Sequence, residues 1–530
     1  MTSVRESVFS LLEHHGMTTV FGNPGSTEMG FLNDMPAGFR YILGLQESVV
    51  VSMADGYAQA TDGPVLVNLH SAPGVGHAMG SIITARANRT PLVITAGTQV
   101  RPMQAMEAWL TNVDATNLPR PAVKWAGEAA RAQDTPAVLA RAIHEATLPP
   151  PGPVFVSQAM DDWSADVVAA ETRHLVERSV RSGSGLNGNA AAEIVDKLHA
   201  ASSPLIILGS ALDTPQAWAD TIALAEATGA AVMMAPVESR WSFPGWHPQF
   251  RGMLAPAIAT ATEQMSGHDL VLVIGAPVFR YYPYLPGELL PDGTRLLQIT
   301  DDPAQATRAP MGDAYVTDPV AAVRALAEAS SDSDSTALGE AVQPVTSSGS
   351  SPLSPTDVFT VLGAVSGPDL VMVNESPSNL TTLLDCWRPV RPRSLFFSGS
   401  GGLGFGTPAT VGVQMGMPDR PVLGLLGDGA LQYSVQALYT AALYNVPATF
   451  LVMRNHQYAI LKWFGQLKNA PRVPGLDLPN LDAVAIAQGY GVPARSVREV
   501  DELEAALRED LAAPGPRLIE VEIDGSAAMM

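Results

Sequence analysis

An apolar run over 421–426 stops at Gly427-Asp428-Gly429, and a second over 448–453 stops at Arg454-Asn455. A carboxylate and an amide oxygen placed this way offer two oxygen ligands beside a glycine-flanked turn. Magnesium keeps near-octahedral oxygen coordination and shares it with phosphate oxygens, so the pair suits a hard cation carrying a diphosphate. The chemistry requires Asp428 and Asn455 side by side. Both runs read as buried parallel strands, with a helix predicted between them over 433–444. A right-handed strand–helix–strand unit would bring both side chains out at one edge of the sheet.

Other candidates sit at similar boundaries. Glu47 follows a strand predicted over 41–45 and starts a helix running through Met53 and Tyr57. By position alone it is a carboxylate favoured by a helix N-terminus. His70 ends a strand over 65–69, the edge where open α/β sheets place ligands, and imidazole changes protonation near neutral pH. It serves either structure or proton transfer. Ser26 stands between a strand over 18–21 and a following helix, as an N-cap would, where backbone amides also suit an anion. The cluster Gly401-Gly402-Leu403-Gly404-Phe405-Gly406 lacks a clean strand leading into it, so it is not read as a dinucleotide fingerprint. Trp109, Leu110, Phe397, Ile460, Leu461 and Phe464 read as core, or as the wall of an apolar pocket.

The elements that must position these residues follow one pattern. Short β-rich runs alternate with alanine-rich helical segments across 530 residues, the mark of parallel α/β sheets. Polar connectors over 179–188 and 330–355 divide the chain into thirds. A net charge of −21 argues against nucleic acid or an anionic membrane as partner, since both need a basic face. The single cysteine, Cys386, rules out an intrachain disulfide framework and fits a cytoplasmic protein. The segment over 4–15 reads as an amphipathic helix and not a signal peptide, and no apolar run approaches a membrane span.

The chain resembles the benzoylformate decarboxylases, which use thiamine diphosphate, almost from end to end. The resemblance is carried by Val20-Phe-Gly-Asn-Pro-Gly-Ser26, Leu45-Gln-Glu47, Ala54-Asp-Gly-Tyr-Ala58, Asn68-Leu-His-Ser71 and Leu110-Thr-Asn-Val-Asp114. Further matches are Val273-Ile-Gly-Ala-Pro-Val-Phe-Arg280, Gly401-Gly-Leu-Gly-Phe405, Gly427-Asp428-Gly429 with Asn455, and Leu461-Lys-Trp-Phe464. It implies an α/β fold of three parallel-sheet Rossmann-like domains: 1–180 for the pyrimidine ring, 181–340 central, and 341–530 for diphosphate and metal. The implied activity is decarboxylation of an aromatic 2-keto acid, benzoylformate to benzaldehyde and carbon dioxide. The implied cofactors are thiamine diphosphate and magnesium, with calcium as the alternative ion.

The resemblance also implies roles. Glu47 would bond the pyrimidine ring and promote the tautomer that removes the thiazolium proton. Leu403 would wedge between the two cofactor rings, Ser26 would orient the substrate carboxylate, and His70 would move protons. Asn23, Pro24, Gly25, Ser378, Gly401, Gly427, Gly429 and Tyr458 would line the cofactor site, and Gln457 would join Asp428 and Asn455 at the metal. Cofactor sites in such enzymes lie between subunits, so a homodimer is the minimum and a homotetramer is expected, acting on a small-molecule substrate.

Four positions depart from the family pattern. Tyr282 stands where a second catalytic histidine is expected, and no histidine lies between His268 and His456. A phenol, with its ordinary pKa near 10, is a poorer proton shuttle, so Tyr282 is either a working substitute or pocket wall. Slow protonation there would favour carboligation, as in relatives of the acetolactate-synthase or aldehyde-lyase type. Pro377 and Ala430 replace hydroxyl donors, and Arg454 replaces an asparagine, where it must turn to diphosphate or solvent. These losses also leave open a drifted, non-catalytic relative.

Overall fold

The alternating pattern folds into three six-stranded parallel sheets. The structure, a computed structural model, describes residues 2–167, 169–183, 185–331, 340–347 and 349–525. Positions 332–339 and 348 of the second predicted connector, and Ser184 of the first, lie outside the described residues. Among the described residues no helix is long and apolar enough to cross a membrane.

In the first sheet the strands run Arg40–Leu43, Thr19–Gly22, Val65–Leu69, Leu92–Thr98, Val154–Ala159 and Trp125–Glu128 in spatial order. The inner strands are buried along their whole length, as parallel strands covered on both faces must be. The central sheet is ordered Phe250–Met253, Ala231–Met234, Pro204–Leu208, Leu270–Ile274, Arg295–Thr300 and Asp313–Val316. The third is ordered Leu395–Phe397, Val371–Glu375, Val422–Gly427, Ala448–Arg454, Arg517–Glu522 and Ala494–Val497. The order of each sheet reverses beside a central strand, which opens a crevice at the carboxyl ends.

The first and third sheets are joined through two helices. Helix Glu47–Thr61 packs along helix Gly406–Gly416 with backbone against backbone. A Cβ at Gly56 would lie 2.5 Å from the carbonyl oxygen of Ala409, and one at Gly412 would overlap the carbonyl oxygen of Met53. Tyr444 completes the junction, its hydroxyl accepting from the Leu43 N–H (2.9 Å) and donating to the Tyr41 carbonyl (3.1 Å).

Two local expectations differ from the outcome. The helix predicted over 433–444 begins only at Ala437, as helix Ala437–Leu443. Before it, Tyr433, Ser434 and Ala437 donate to carbonyls three residues back, so tight turns replace helix there. Ser26 is not an N-cap: it is exposed and opens the short 3₁₀ turn Ser26–Glu28, whose capping position is Gly25. The Glu28 carboxylate accepts from the Gly25 N–H (3.2 Å), and among the described residues no side chain accepts from the first N–H groups of the turn itself.

The glycine contact yields a signed expectation. Helix propensity alone favours alanine over glycine by about 1 kcal/mol. The clash with a backbone carbonyl, which has no side-chain freedom to yield, outweighs that gain. Gly412→Ala should therefore lower stability by about 1–3 kcal/mol in urea denaturation. An unchanged or raised midpoint would mean the two helices separate at little cost.

Candidate active site

Asp428 and Asn455 meet as the spacing requires. The strands Val422–Gly427 and Ala448–Arg454 are adjacent and parallel, with Gly427 opposite Met453, so the residues that follow them share one edge. The buried Asp428 carboxylate accepts from three main-chain N–H groups: Gly429 (2.8 Å), His456 (2.8 Å) and Asn455 (3.2 Å). Burial pushes its pKa up, and those three hydrogen bonds pull it back. Oδ2 takes two of these bonds and Oδ1 one, so Oδ1 retains a lone pair for a cation. The Asn455 amide oxygen accepts from the Gln457 N–H (3.2 Å), which holds it at the same turn. The Gln457 side chain turns elsewhere, towards the Gly525 carbonyl (2.7 Å) and the Lys462 ammonium (2.5 Å). Any ligation from that position therefore falls to its main-chain carbonyl.

The surrounding residues form a cradle. Gly429 lies against the Tyr458 ring, where a Cβ would come within 2.5 Å of the ring edge. Tyr458 caps helix Ala459–Leu467, and burial with the neighbouring Tyr433 raises its pKa. Ser378 lies in the turn Pro377–Asn379, which touches that helix. Leu403 is half-buried between Gly401 and Gly404, whose φ values of +71° and +101° lie in the left-handed region that favours glycine. An oxygen-rich, glycine-lined edge of this kind fits a magnesium-bound diphosphate.

At the first sheet the His70 imidazole is held through Nδ1 by Glu28 (2.9 Å) and Thr27 (3.1 Å). Glu28 is itself fixed by the Thr27 hydroxyl (2.6 Å) and the Gly97 N–H (2.9 Å). With Nδ1 tied, Nε2 is left for proton exchange. Gly25 lies directly beneath the ring, and any side chain there would overlap it. Asn23 donates to Glu47 (3.2 Å), and His77 bonds the other Glu47 oxygen (3.1 Å). Glu47 is buried, at the head of its helix, while His77 is largely exposed. Pro24 and Ser26 are exposed on the same loop.

The apolar candidates separate into two groups. Trp109, 92% exposed, and Leu110 project from a loop of the first domain. Ile460, Leu461 and Phe464 line helix Ala459–Leu467, and Phe397 ends a strand of the third sheet. Tyr282 reaches that helix from the central domain, its ring 5.0 Å from the Phe464 ring at 47°, and is 58% exposed. Among the described residues no hydrogen bond or ion pair joins the first-domain candidates to those of the third sheet. Each half of the site is organised within its own domain.

Arg454 takes neither expected direction. Its guanidinium pairs with buried Glu520 (2.9 Å) on the next strand, so its charge is answered within the sheet. Glu28, Thr27 and His77 are functional neighbours that sequence reasoning missed. Glu28 was visible only as a carboxylate three residues after a glycine, a local capping pattern. Its partner lies 42 residues away.

Three family models match the chain: the N-terminal TPP binding domain of thiamine pyrophosphate enzymes over residues 2–118, their central domain over 191–326, and their C-terminal TPP binding domain over 379–521. The chain is a thiamine-pyrophosphate enzyme. Among its relatives, the benzoylformate decarboxylase of Pseudomonas aeruginosa is 47% identical over 524 residues, 98% of this chain and 99% of that protein. The thiamine diphosphate-dependent 4-hydroxybenzoylformate decarboxylase of Rhodococcus jostii superposes with a TM-score of 0.97 at 42% identity, covering 99% of this chain and 100% of the other. Benzoylformate decarboxylase of Polynucleobacter necessarius gives 0.95 at 41% identity, covering both chains completely. The protein belongs to the benzoylformate decarboxylase family.

The Glu28–His70 pair is testable. Glu28→Gln keeps the shape of the side chain but removes the charge that orients the imidazole. Turnover of an aryl 2-oxo acid should fall by about tenfold or more, with a smaller change in KM. Turnover within about twofold of wild type would mean the pair only supports the fold.

Proposed function

We propose that the protein removes carbon dioxide from an aromatic 2-keto acid such as benzoylformate and releases the aldehyde, with thiamine diphosphate held through magnesium. The observation that carries this reading is the convergence of Asp428 and Asn455 at one sheet edge, beside Gly427, where an added Cβ would meet nothing closer than 3.8 Å. When bound, the cofactor supplies a nucleophilic carbon and a sink for the electron pair left by departing carbon dioxide. Asp428, the Asn455 amide and the Gln457 carbonyl would hold the metal, with calcium as the alternative ion. Gly401, Gly427, Gly429, Ser378 and Tyr458 would line the diphosphate, and Leu403 would wedge between the two cofactor rings.

Asn23, Pro24 and Gly25 would border the pyrimidine ring. Glu47, buried and steadied by Asn23, would bond a ring nitrogen and hold the proton there. Ser26 would orient the substrate carboxylate, a contact that must not become too strong because that group has to leave. His70 would pass protons through Nε2. Trp109, Leu110, Phe397, Ile460, Leu461 and Phe464 would enclose the aryl group and exclude water. The net charge of −21 repels an anionic substrate at long range, so these local donors and the metal must provide the attraction.

The two halves lie on separate domains, which supports a site completed by a second copy of the chain. We take residues 1–180, 181–340 and 341–530 as the pyrimidine, central and diphosphate domains, and a homodimer or homotetramer as the working form. A cytoplasmic location suits the single free, buried Cys386. The exposed Tyr282 beside Phe464 favours a second reading, in which slower protonation by a tyrosine in place of the expected histidine diverts part of the reaction to carboligation.

Incubation with benzoylformate, cofactor and magnesium should release benzaldehyde, and Glu47→Gln should lower kcat by about a hundredfold. Unchanged turnover in that variant would refute the role of Glu47, and hydroxyketone exceeding free aldehyde would favour the carboligase. Subunit sharing has its own measurement. Glu47→Gln and Asp428→Ala chains, each inactive alone, should recover up to about a quarter of wild-type activity when co-expressed. No recovery would place both halves of the site in one chain.

A further inference from the structure

Glu375 has no part in the chemistry described so far, yet it is buried at the carboxyl end of its strand, at the same sheet edge as Asp428. Its Oε1 accepts from the N–H groups of Gly404 (2.7 Å) and Phe405 (2.9 Å), and its Oε2 accepts from that of Gly406 (3.0 Å). These are the three residues that follow Leu403. They open the eleven-residue helix Gly406–Gly416, whose capping position, Phe405, offers no side-chain oxygen. The first N–H groups of a helix have no partner within it. Here a carboxylate 29–31 residues upstream supplies one for all three. Gly406 leaves the room for it: a Cβ there would lie 2.6 Å from the Glu375 Cβ.

The other end of the same loop is fixed by different domains. Asn88 accepts from the Gly399 N–H (2.8 Å), Arg280 donates to the Gly399 carbonyl (3.2 Å), and the Thr84 and Ser400 hydroxyls bond at 2.8 Å. Ser398 reaches across to the Gly402 carbonyl (3.1 Å). Leu403 is thus suspended between two anchors, and Glu375 is the anchor immediately after it. Among the described residues no cation pairs with Glu375, so its carboxylate is answered by main-chain dipoles alone. Burial pushes its pKa up to about 7 against those three hydrogen bonds. Keeping a carboxyl there with no cation beside it costs stability that an apolar residue would not cost.

We propose that Glu375 is the positioning residue for Leu403: by clamping the three N–H groups after the leucine, it sets how far that side chain projects into the cofactor site. The inference rests on the cofactor reading above. It also ties the leucine to the strand that leads into Ser376, Pro377 and Ser378. The leucine expected to wedge between the rings and the turn expected to line the diphosphate are therefore both tied to one strand end.

The test is a double-mutant cycle between Glu375→Gln and Leu403→Ala, with far-UV circular dichroism to confirm folding. At saturating cofactor, Glu375→Gln should lower kcat by about tenfold with KM within about twofold. Leu403→Ala should then cost much less in the Glu375→Gln background than in wild type, because both act through one side chain. Independently of turnover, titrating the metal-loaded apoprotein with thiamine diphosphate, followed by tryptophan fluorescence, should show affinity weakened about fivefold or more by Glu375→Gln. Additive losses in the cycle, or a folded Glu375→Gln variant with wild-type kcat and cofactor affinity, overturn the proposal. If Glu375→Gln does not fold, the same cycle with Glu375→Asp decides, since that variant keeps the charge but draws it back by one methylene. A wild-type protein that binds cofactor but releases no carbon dioxide would sink the decarboxylase reading alone, and the titration would still judge the clamp.

Discussion

The architecture depends on one buried carboxylate. Asp428 takes N–H groups from its own turn and from the turn at the end of the neighbouring strand, and so pins two strand ends at fixed separation. Burying an ionised carboxylate is costly in a low-dielectric interior. Main-chain donors that are already aligned offset part of that cost, and a bound dication would offset the rest. Everything placed on this edge inherits its geometry from that arrangement: the Asn455 amide, the ring of Tyr458, and the helix carrying Ile460, Leu461 and Phe464.

The first domain solves a different problem by similar means. The Thr27–Glu28 pair orients the His70 imidazole through Nδ1 and leaves Nε2 untied. The buried face of the imidazole rests on Gly25, the one residue type that allows so close an approach. Charge is handled economically throughout. Arg454, which could have disturbed the metal edge, is neutralised by Glu520 one strand away.

What the sequence made legible was whatever depends on period and strand ends. Alternating strand and helix runs sufficed to place Asp428, Asn455, His70 and Glu47 at carboxyl edges, because parallel connections leave few alternatives. Pairings between distant segments stayed hidden. Glu28 with His70 and Arg454 with Glu520 are separated by 42 and 66 residues, and no local pattern marks them. The misread helix start at 433 has a local cause, since tight turns and helix share the same apolar spacing over four or five residues. Ser26 is not a cap because the turn begins one residue earlier than expected, with Ser26 as its first residue and Gly25 at the capping position. The turn of Gln457 away from the metal edge depends on Lys462 and on a carbonyl near the far end of the chain, neither of which spacing reveals.

The close packing of Gly56 on Ala409 and of Gly412 on Met53 carries a further implication. One helix starts at Glu47 and the other follows the loop bearing Leu403, and under the proposed reading these two residues of one chain would serve opposite halves of the chemistry. In a two-fold assembly they would belong to two different reaction centres. A rod-on-rod junction without side-chain cushioning cannot absorb a displacement. Strain arising as one centre closes over its ligand would thus be felt at its twin through the body of a single subunit.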